Sequence, residues 1–111
     1  MVAENELSGR IIDAAIEVHR TLGGPGLLES VYEESLAWEL KQRGISVHRQ
    51  VACPLVEDRI VVECKASAED HPIHQSQVLT YLRLKKLPLG LVLNFGKATL
   101  KDGIHRVVNG L

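Results

Sequence analysis

An apolar strand that ends in an acid and a lysine restricts most strongly how this chain can fold. The segment RIVVECKA, residues 59–66, places branched apolar residues before Glu63 and Lys65. Because side chains alternate across a strand, Glu63 and Lys65 emerge on the same face. Burying an acid and an amine beside valine and isoleucine costs free energy unless they are paired or bind something. The pattern predicts a metal- and phosphate-binding site, although strands with paired surface charges share it.

Composition and charge exclude several classes of protein. A chain of 111 residues with 45% hydrophobic and 24% charged residues is typical of a single globular domain, here residues 1–111. The net charge of -1 argues against a non-specific DNA coat and leaves room for a local basic patch. No apolar run is long enough to span a bilayer, and the acidic N-terminus is unlike a signal peptide. Cys53 and Cys64 lack zinc-like spacing, so reduced thiols in a cytoplasmic protein are expected.

Two helices are predicted in the first part of the chain. Apolar residues that recur every three to four positions predict the first helix, capped by Asn5 or Ser8 and ended by GGPG at residues 23–26. The second is predicted over residues 28–43. His19 lies on or beside the apolar stripe of the first helix, and a partly buried histidine with a backbone partner is favoured over a ligand.

A strand and a hairpin turn precede the Glu63 strand. Residues 45–56 alternate between apolar and polar side chains, which predicts one strand, interrupted by Pro54 near its end. Glu57 and Asp58 then form a polar turn, so this strand and the Glu63 strand are expected to pair as an antiparallel hairpin.

The second half of the chain adds a helix and a buried strand. A third helix is predicted over residues 72–85, and LGLVLNF at residues 89–95 predicts a strand buried on both faces. A weaker tail follows at residues 104–108. The order α-α-β-β-α-β indicates a small layered α/β domain.

Three further polar residues have both a functional and a structural interpretation. Glu29 falls in the first turn of the second helix, where interaction with the helix dipole alone would explain an acid. Gln77 and Tyr81 are four residues apart on the third helix and share a face, with His74 one turn before. An amide and a phenol side by side can hold a phosphate oxygen or a base edge, but they can equally cap a neighbouring strand.

These motifs together resemble a known family. Residues 26–32, GLLESVY, match the signature of the GxxExxY family, a group of small proteins in the PD-(D/E)XK nuclease superfamily. The sequence on either side of this motif is also similar to that of family members, at IIDAAIEVH (residues 11–19), Asn94-Phe95 and LKDGI (residues 100–104). The resemblance covers nearly the whole chain in the right order, and it implies a restriction-endonuclease-like layered α+β fold with a mixed sheet flanked by helices.

The resemblance also implies a site and a chemistry. Glu63-Cys64-Lys65 looks like the superfamily's (D/E)-x-K element, and Gln77 and Tyr81 look like the Q-x-x-x-Y element of RecB-like nucleases. Glu63 and Lys65 would be catalytic, Glu29 and Glu63 would hold Mg²⁺ or Mn²⁺, and Gln77 and Tyr81 would position DNA or RNA.

One departure from the family pattern concerns the metal. Family members carry a further hairpin strand with a metal-binding Asp before the Glu-x-Lys strand. Here that region looks shortened, and Cys53 stands where the Asp is expected. A thiol is a soft ligand and suits magnesium poorly, so a weakened metal site is expected.

Two functions and one assembly therefore remain open. The protein is either a metal-dependent nuclease or a non-catalytic member that serves as a nucleic-acid-binding or protein-interaction module. A sheet shortened at this point would leave an open edge, so a homodimer is predicted in which residues 45–56 pair across subunits.

Overall fold

Three helices and a five-stranded mixed sheet make up residues 2–49 and 54–110, the part of the chain that the structure, a computed structural model, describes. The helices are α1 (Val2–Thr21), α2 (Glu29–Gln42) and α3 (Pro72–Lys85), with a short 3-10 helix at Leu100–Gly103. The strands are β1 (Val47–His48), β2 (Leu55–Val56), β3 (Ile60–Lys65), β4 (Leu89–Asn94) and β5 (Ile104–Val108). They lie side by side in chain order; β3 and β4 are parallel and the other pairs antiparallel. The layered α+β architecture, a mixed sheet flanked by helices, is confirmed.

The sheet separates two apolar clusters. Ile60 and Val62 of β3 pack on one face with the buried residues of α1 and α2. Val61 points to the other face, where it packs with Val78 and Leu82 of α3. Because side chains alternate along a strand, residues next to each other in the sequence of β3 point to opposite faces of the sheet. This alternation decides the face on which Glu63 and Lys65 lie.

The first helix differs from its prediction in two details. It begins at Val2, before either predicted cap, and Ser8 donates its hydroxyl to the Asn5 carbonyl within the helix, at 2.9 Å. Ile16 is one of the recurring apolar residues that predict this helix, yet it is 43% exposed. His19 is confirmed as a buried histidine with backbone partners, because its Nε2 lies within hydrogen-bond distance of two carbonyl oxygens.

The single strand predicted over residues 45–56 is wrong, because the described part of this segment folds back on itself. β1 and β2 pair antiparallel through Val47–Val56 and His48–Leu55, while residues 50–53 lie outside the described residues. An alternating pattern is the same in one long strand as in two hairpin arms, so the pattern alone does not locate the reversal. The predicted hairpin between this segment and the Glu63 strand is confirmed, since β2 pairs antiparallel with β3.

The C-terminal tail is a full strand of the sheet. β5 pairs with β4 along its length, from Leu89–Val108 to Leu93–Ile104. The order α-α-β-β-α-β therefore lacks two strands that the described residues form, one within residues 45–56 and one at the tail. No helix in the described part of the chain is long and apolar enough to cross a membrane.

Candidate phosphodiester site

The Glu-x-Lys pair lies on the α3 side of the sheet. Glu63 and Lys65 alternate with the buried Val62 and Cys64, so they share the face of Val61. The acid and the lysine therefore lie on the same face of the strand, as the alternation predicts. The N–H of Val62 donates to the carbonyl oxygen of Pro54 at 3.0 Å. Glu63 and Lys65 come after Val62 in β3, so they lie beyond Leu55, the first residue of β2. Both side chains are partly exposed to solvent there.

A tyrosine fixes the start of the helix that brings the second acid. The buried Tyr32 donates its hydroxyl to the Gly24 carbonyl at 2.7 Å and accepts the N–H of Leu27 at 3.2 Å. Its ring stacks on Phe95, with 4.7 Å between the centroids. These contacts tie the loop before α2 to the core, and Glu29 is the first residue of that helix.

Lys65 lies between two carboxylates. Its Nζ is 3.9 Å from Oε1 of Glu63 and 3.9 Å from Oε1 of Glu29. The side chains of Lys65 and Glu63 are 20% and 17% exposed, whereas Glu29 is 45% exposed. The structure thus brings together Glu29, Glu63 and Lys65. The helix-dipole interpretation of Glu29 also holds, because a residue can stabilise the first turn of α2 and face Lys65.

The charge around Glu63 is incompletely balanced. Burial raises the pKa of Glu63, Lys65 opposes the rise, and the neighbouring acids Glu29 and Glu33 add to it. Glu33 is itself paired with Arg49, at 3.1 Å, so Glu29 and Glu63 share the single ammonium of Lys65. An additional cation would stabilise the ionised form of these carboxylates.

Gln77 and Tyr81 lie further along α3. Gln77 is exposed, and Tyr81 is half-buried against the cluster of Val78 and Leu82. The Nζ of Lys85 lies 5.8 Å from the centre of the Tyr81 ring. The packing of Tyr81 gives it a structural role, and contact of both residues with nucleic acid stays a prediction.

A polar pocket of about 180 Å³ on the same face was not predicted from the sequence. Its polar lining consists of Asp70, His71, His74, Gln75, Asn94 and His105. The signal that could have indicated it is Asn94, a polar residue that ends a continuous apolar strand and is only 2% exposed. Such a residue must satisfy its amide inside the protein.

Asn94 and Asp70 organise this pocket. The Asn94 side chain accepts the N–H groups of Ser67 at 3.0 Å and Gly96 at 2.9 Å, and donates to Asp70 at 2.9 Å. The second carboxylate oxygen of Asp70 lies 3.0 Å from Nε2 of His105. Burial alone would raise the pKa of Asp70, but the hydrogen bond from Asn94 and the close approach of His105 outweigh it and lower that pKa. Asp70 is therefore held as a carboxylate.

His74 lines the pocket and lies near enough to Lys65 for the lysine charge to affect its pKa. Its Nδ1 is buried and has no hydrogen-bond partner within residues 2–49 and 54–110. Burial lowers the pKa of His74, and the charges of Lys65 and His71 lower it further. The imidazole is therefore neutral at neutral pH, with one unsatisfied ring nitrogen.

The donor set suits a hard divalent cation. Mg²⁺ keeps several water ligands and is usually held by one or two protein carboxylates together with substrate phosphate. Glu29 and Glu63 match that requirement in type and number. No group of three metal-ligating side chains occurs among residues 2–49 and 54–110, so nothing in that part of the chain forms a closed cage. Cys64 is buried in the opposite layer and burial raises its pKa, while Cys53 lies outside the described residues.

One of the comparisons with known proteins finds a match. No curated protein and no solved structure matches the chain. A family model of the PD-(D/E)XK nuclease superfamily matches residues 5–56 and 54–107, which together make up most of the sequence. The chain belongs to the PD-(D/E)XK nuclease superfamily.

Proposed function

We propose that this protein hydrolyses phosphodiester bonds of nucleic acid with the help of Mg²⁺ or Mn²⁺, at a site formed by Glu29, Glu63 and Lys65. The observation that carries the proposal is the position of Lys65, 3.9 Å from both carboxylates on a solvent-accessible part of β3. A surface ion pair needs only one acid. Two acids and an amine at one point match the needs of metal-assisted phosphodiester hydrolysis.

Each residue has a distinct role in this proposal. Glu29 and Glu63 would hold the cation, and a bound cation would supply Lewis acidity that polarises the phosphate and lowers the pKa of an attacking water. Lys65 exchanges its carboxylate neighbours for the phosphate and stabilises the negative charge that develops there. Gln77 and Tyr81, further along α3, contact the nucleic acid beyond the reacting phosphate.

The site departs from the family pattern at one metal ligand, the Asp that family members place before the Glu-x-Lys strand. The family model matches in two pieces that meet at residues 54–56, which supports a shortened region there. The nearest acids have other partners. Glu57 accepts hydrogen bonds from the backbone and hydroxyl of Ser46, and Asp58 lies 3.6 Å from His48. Neither is available as a substitute for the missing ligand.

The second candidate function is a non-catalytic module that binds nucleic acid or another protein. The observation that favours it is the number of acids, since Glu29 and Glu63 are the only carboxylates described within 4 Å of the Lys65 ammonium. A site with two carboxylates binds its cation more weakly than one with three. Such a site can retain affinity for phosphate through Lys65 after cleavage is lost.

Metal-dependent cleavage is the experiment that tests the proposed function. With Mg²⁺ or Mn²⁺ we expect nicking of plasmid DNA or shortening of single-stranded DNA, and we expect EDTA to stop it. The purified Glu63→Gln protein is the control for contaminating nucleases. No cleavage by the folded protein with either metal would contradict hydrolysis and favour the non-catalytic module.

Restoring the missing acid should strengthen the site. Cys53 directly precedes Pro54, whose carbonyl bonds to the residue before Glu63. A Cys53→Asp variant should therefore bind Mn²⁺ about tenfold more tightly or better, because affinity rises with the number of charged oxygen ligands. Calorimetric titration measures the gain, and Cys53→Asn, which adds an uncharged side chain of the same size, is the matched control. Equal affinity in the two variants would mean that position 53 does not face the metal.

Assembly and location stay predictions. The proposed homodimer would use β1, which forms one edge of the described sheet. Sizing chromatography should give a dimer, and a monomer at high concentration would contradict that assembly. A cytoplasmic location is proposed as well, in keeping with the reduced thiol of the buried Cys64.

A further inference from the structure

The polar pocket begins one strand away from the Glu-x-Lys pair. In the parallel register of β3 and β4, Glu63 lies beside Val92 and Lys65 beside Asn94. Val92 in turn lies beside His105 of β5. Val92, Asn94 and His105 all line the pocket, and neighbouring strands are about 4.8 Å apart. A strand of nucleic acid whose phosphate contacts Lys65 would therefore reach the pocket with its adjacent nucleotide.

The charge of the pocket excludes a phosphate. Asp70 is held as a carboxylate, and the lining histidine His74 is neutral. Lys97 lies 3.7 Å from Asp70 and does not line the pocket. A second phosphate would meet a carboxylate without a free cation in the described lining. An uncharged group with hydrogen-bond donors is favoured there.

The polar atoms of the pocket suit a ring with polar edges. The Nδ1 of His71 accepts the N–H of Ile73 at 3.1 Å, so the ring presents its N–H at Nε2 and can donate it. His74 contributes its unpartnered Nδ1, and Gln75 an amide that both donates and accepts. The rings of His71 and His74 are 6.1 Å apart and tilted by 60°, so they do not stack on each other. Val92 supplies an apolar wall.

We propose that this pocket receives one unstacked nucleobase, that of the nucleotide next to the phosphate at Lys65. His74 and Gln75 contact its polar edge, and Asp70 accepts from an exocyclic amine, as acidic side chains do when they recognise cytosine. The inference rests on the proposed function, because it places the phosphate at Lys65. The substrate class follows from the geometry. A base inside a duplex cannot enter the pocket without being flipped, so single-stranded or locally unpaired nucleic acid is preferred.

Binding of an abasic oligonucleotide tests this pocket. Fluorescence anisotropy would compare a short labelled single-stranded DNA with the same strand carrying abasic sites, in EDTA and in Mg²⁺, with intact strands verified by gel electrophoresis. We expect the abasic strand to bind the native protein about tenfold more weakly, because it loses the hydrogen bonds of the base with the pocket, and one or two such bonds correspond to about that factor. His74→Ala should remove most of that difference, and His74→Gln should restore part of it. His48→Ala, which removes an exposed histidine on β1, is the matched control.

The outcomes separate the pocket from the function on which it rests. Equal affinity for both strands overturns the base pocket while nucleic-acid binding at Lys65 stands. A base-dependent difference that is unchanged in a folded His74→Ala protein places the base elsewhere and also overturns it. Binding of neither strand contradicts the proposed function itself. If the His74 variants do not fold, Gln75→Ala, at another residue that lines the pocket, replaces them. A base-dependent difference that Gln75→Ala leaves unchanged overturns the pocket in the same way.

Discussion

A Lys65→Met variant should cleave DNA about 10²–10³-fold more slowly than the native protein, which is the loss typical when a group that stabilises transition-state charge is removed. Methionine retains an unbranched apolar side chain at the end of β3 but removes the ammonium that lies between Glu29 and Glu63. The phosphate then meets carboxylates without a compensating cation from the protein. Single-turnover cleavage of single-stranded DNA at saturating Mn²⁺ measures the effect.

Metal affinity distinguishes a catalytic lysine from a structural one. The two carboxylates lose a competing cation in Lys65→Met, so Mn²⁺ should bind as tightly as before or more tightly. Lys41→Met, at the far end of α2, is the control for a lost surface charge. Undiminished cleavage by Lys65→Met, or cleavage lost together with metal binding and with the fold, would contradict the role of Lys65.

A Glu63→Gln variant should lose Mn²⁺ binding and become more stable at neutral pH. Burial raises the pKa of Glu63, so in the pH range above the ordinary glutamate value the folded protein binds more protons than the unfolded chain. Its stability therefore falls as the pH rises through that range. Glutamine has no charge to bury, so the variant escapes this loss. The extra stability should be present at neutral pH and should disappear below the ordinary glutamate pKa.

Calorimetry and thermal unfolding together test this prediction. Titration with Mn²⁺ should show binding to the native protein and none to Glu63→Gln. The unfolding temperature of the variant should be higher at neutral pH and equal at acid pH. Glu6→Gln, which changes an exposed acid of α1, should alter neither quantity. A variant that binds metal normally, or that is less stable at neutral pH, would show that Glu63 serves the fold and not the ion.

The sequence predicted the local parts of the site because alternation in a strand is a local property. Glu63 and Lys65 had to share a face whatever the rest of the chain did. The contact of Glu29 with Lys65 depends on how α2 packs against the end of β3, which no local pattern determines. Only the resemblance to the GxxExxY signature suggested that contact. In this chain, the contacts of Tyr32 with Gly24 and Phe95 give that tyrosine a structural role at the start of α2.

The polar pocket could not be predicted because its members come together only through the sheet. His74 and His105 lie on different elements, and β5 was interpreted as a weak tail. Without β5 in the sheet, Asp70 has no histidine partner. The reversal within residues 45–56 was missed for a related reason, since pairing between β1 and β2 leaves the alternating pattern unchanged.

Anomalous scattering from a crystal of the protein soaked in Mn²⁺ tests the central claim most directly. The claim is that Glu29 and Glu63 hold a divalent cation beside Lys65. We predict a manganese peak at coordination distance from both carboxylates, with Lys65 turned away from at least one of them. A peak elsewhere, or no peak while Lys65 stays between the two acids, would contradict it.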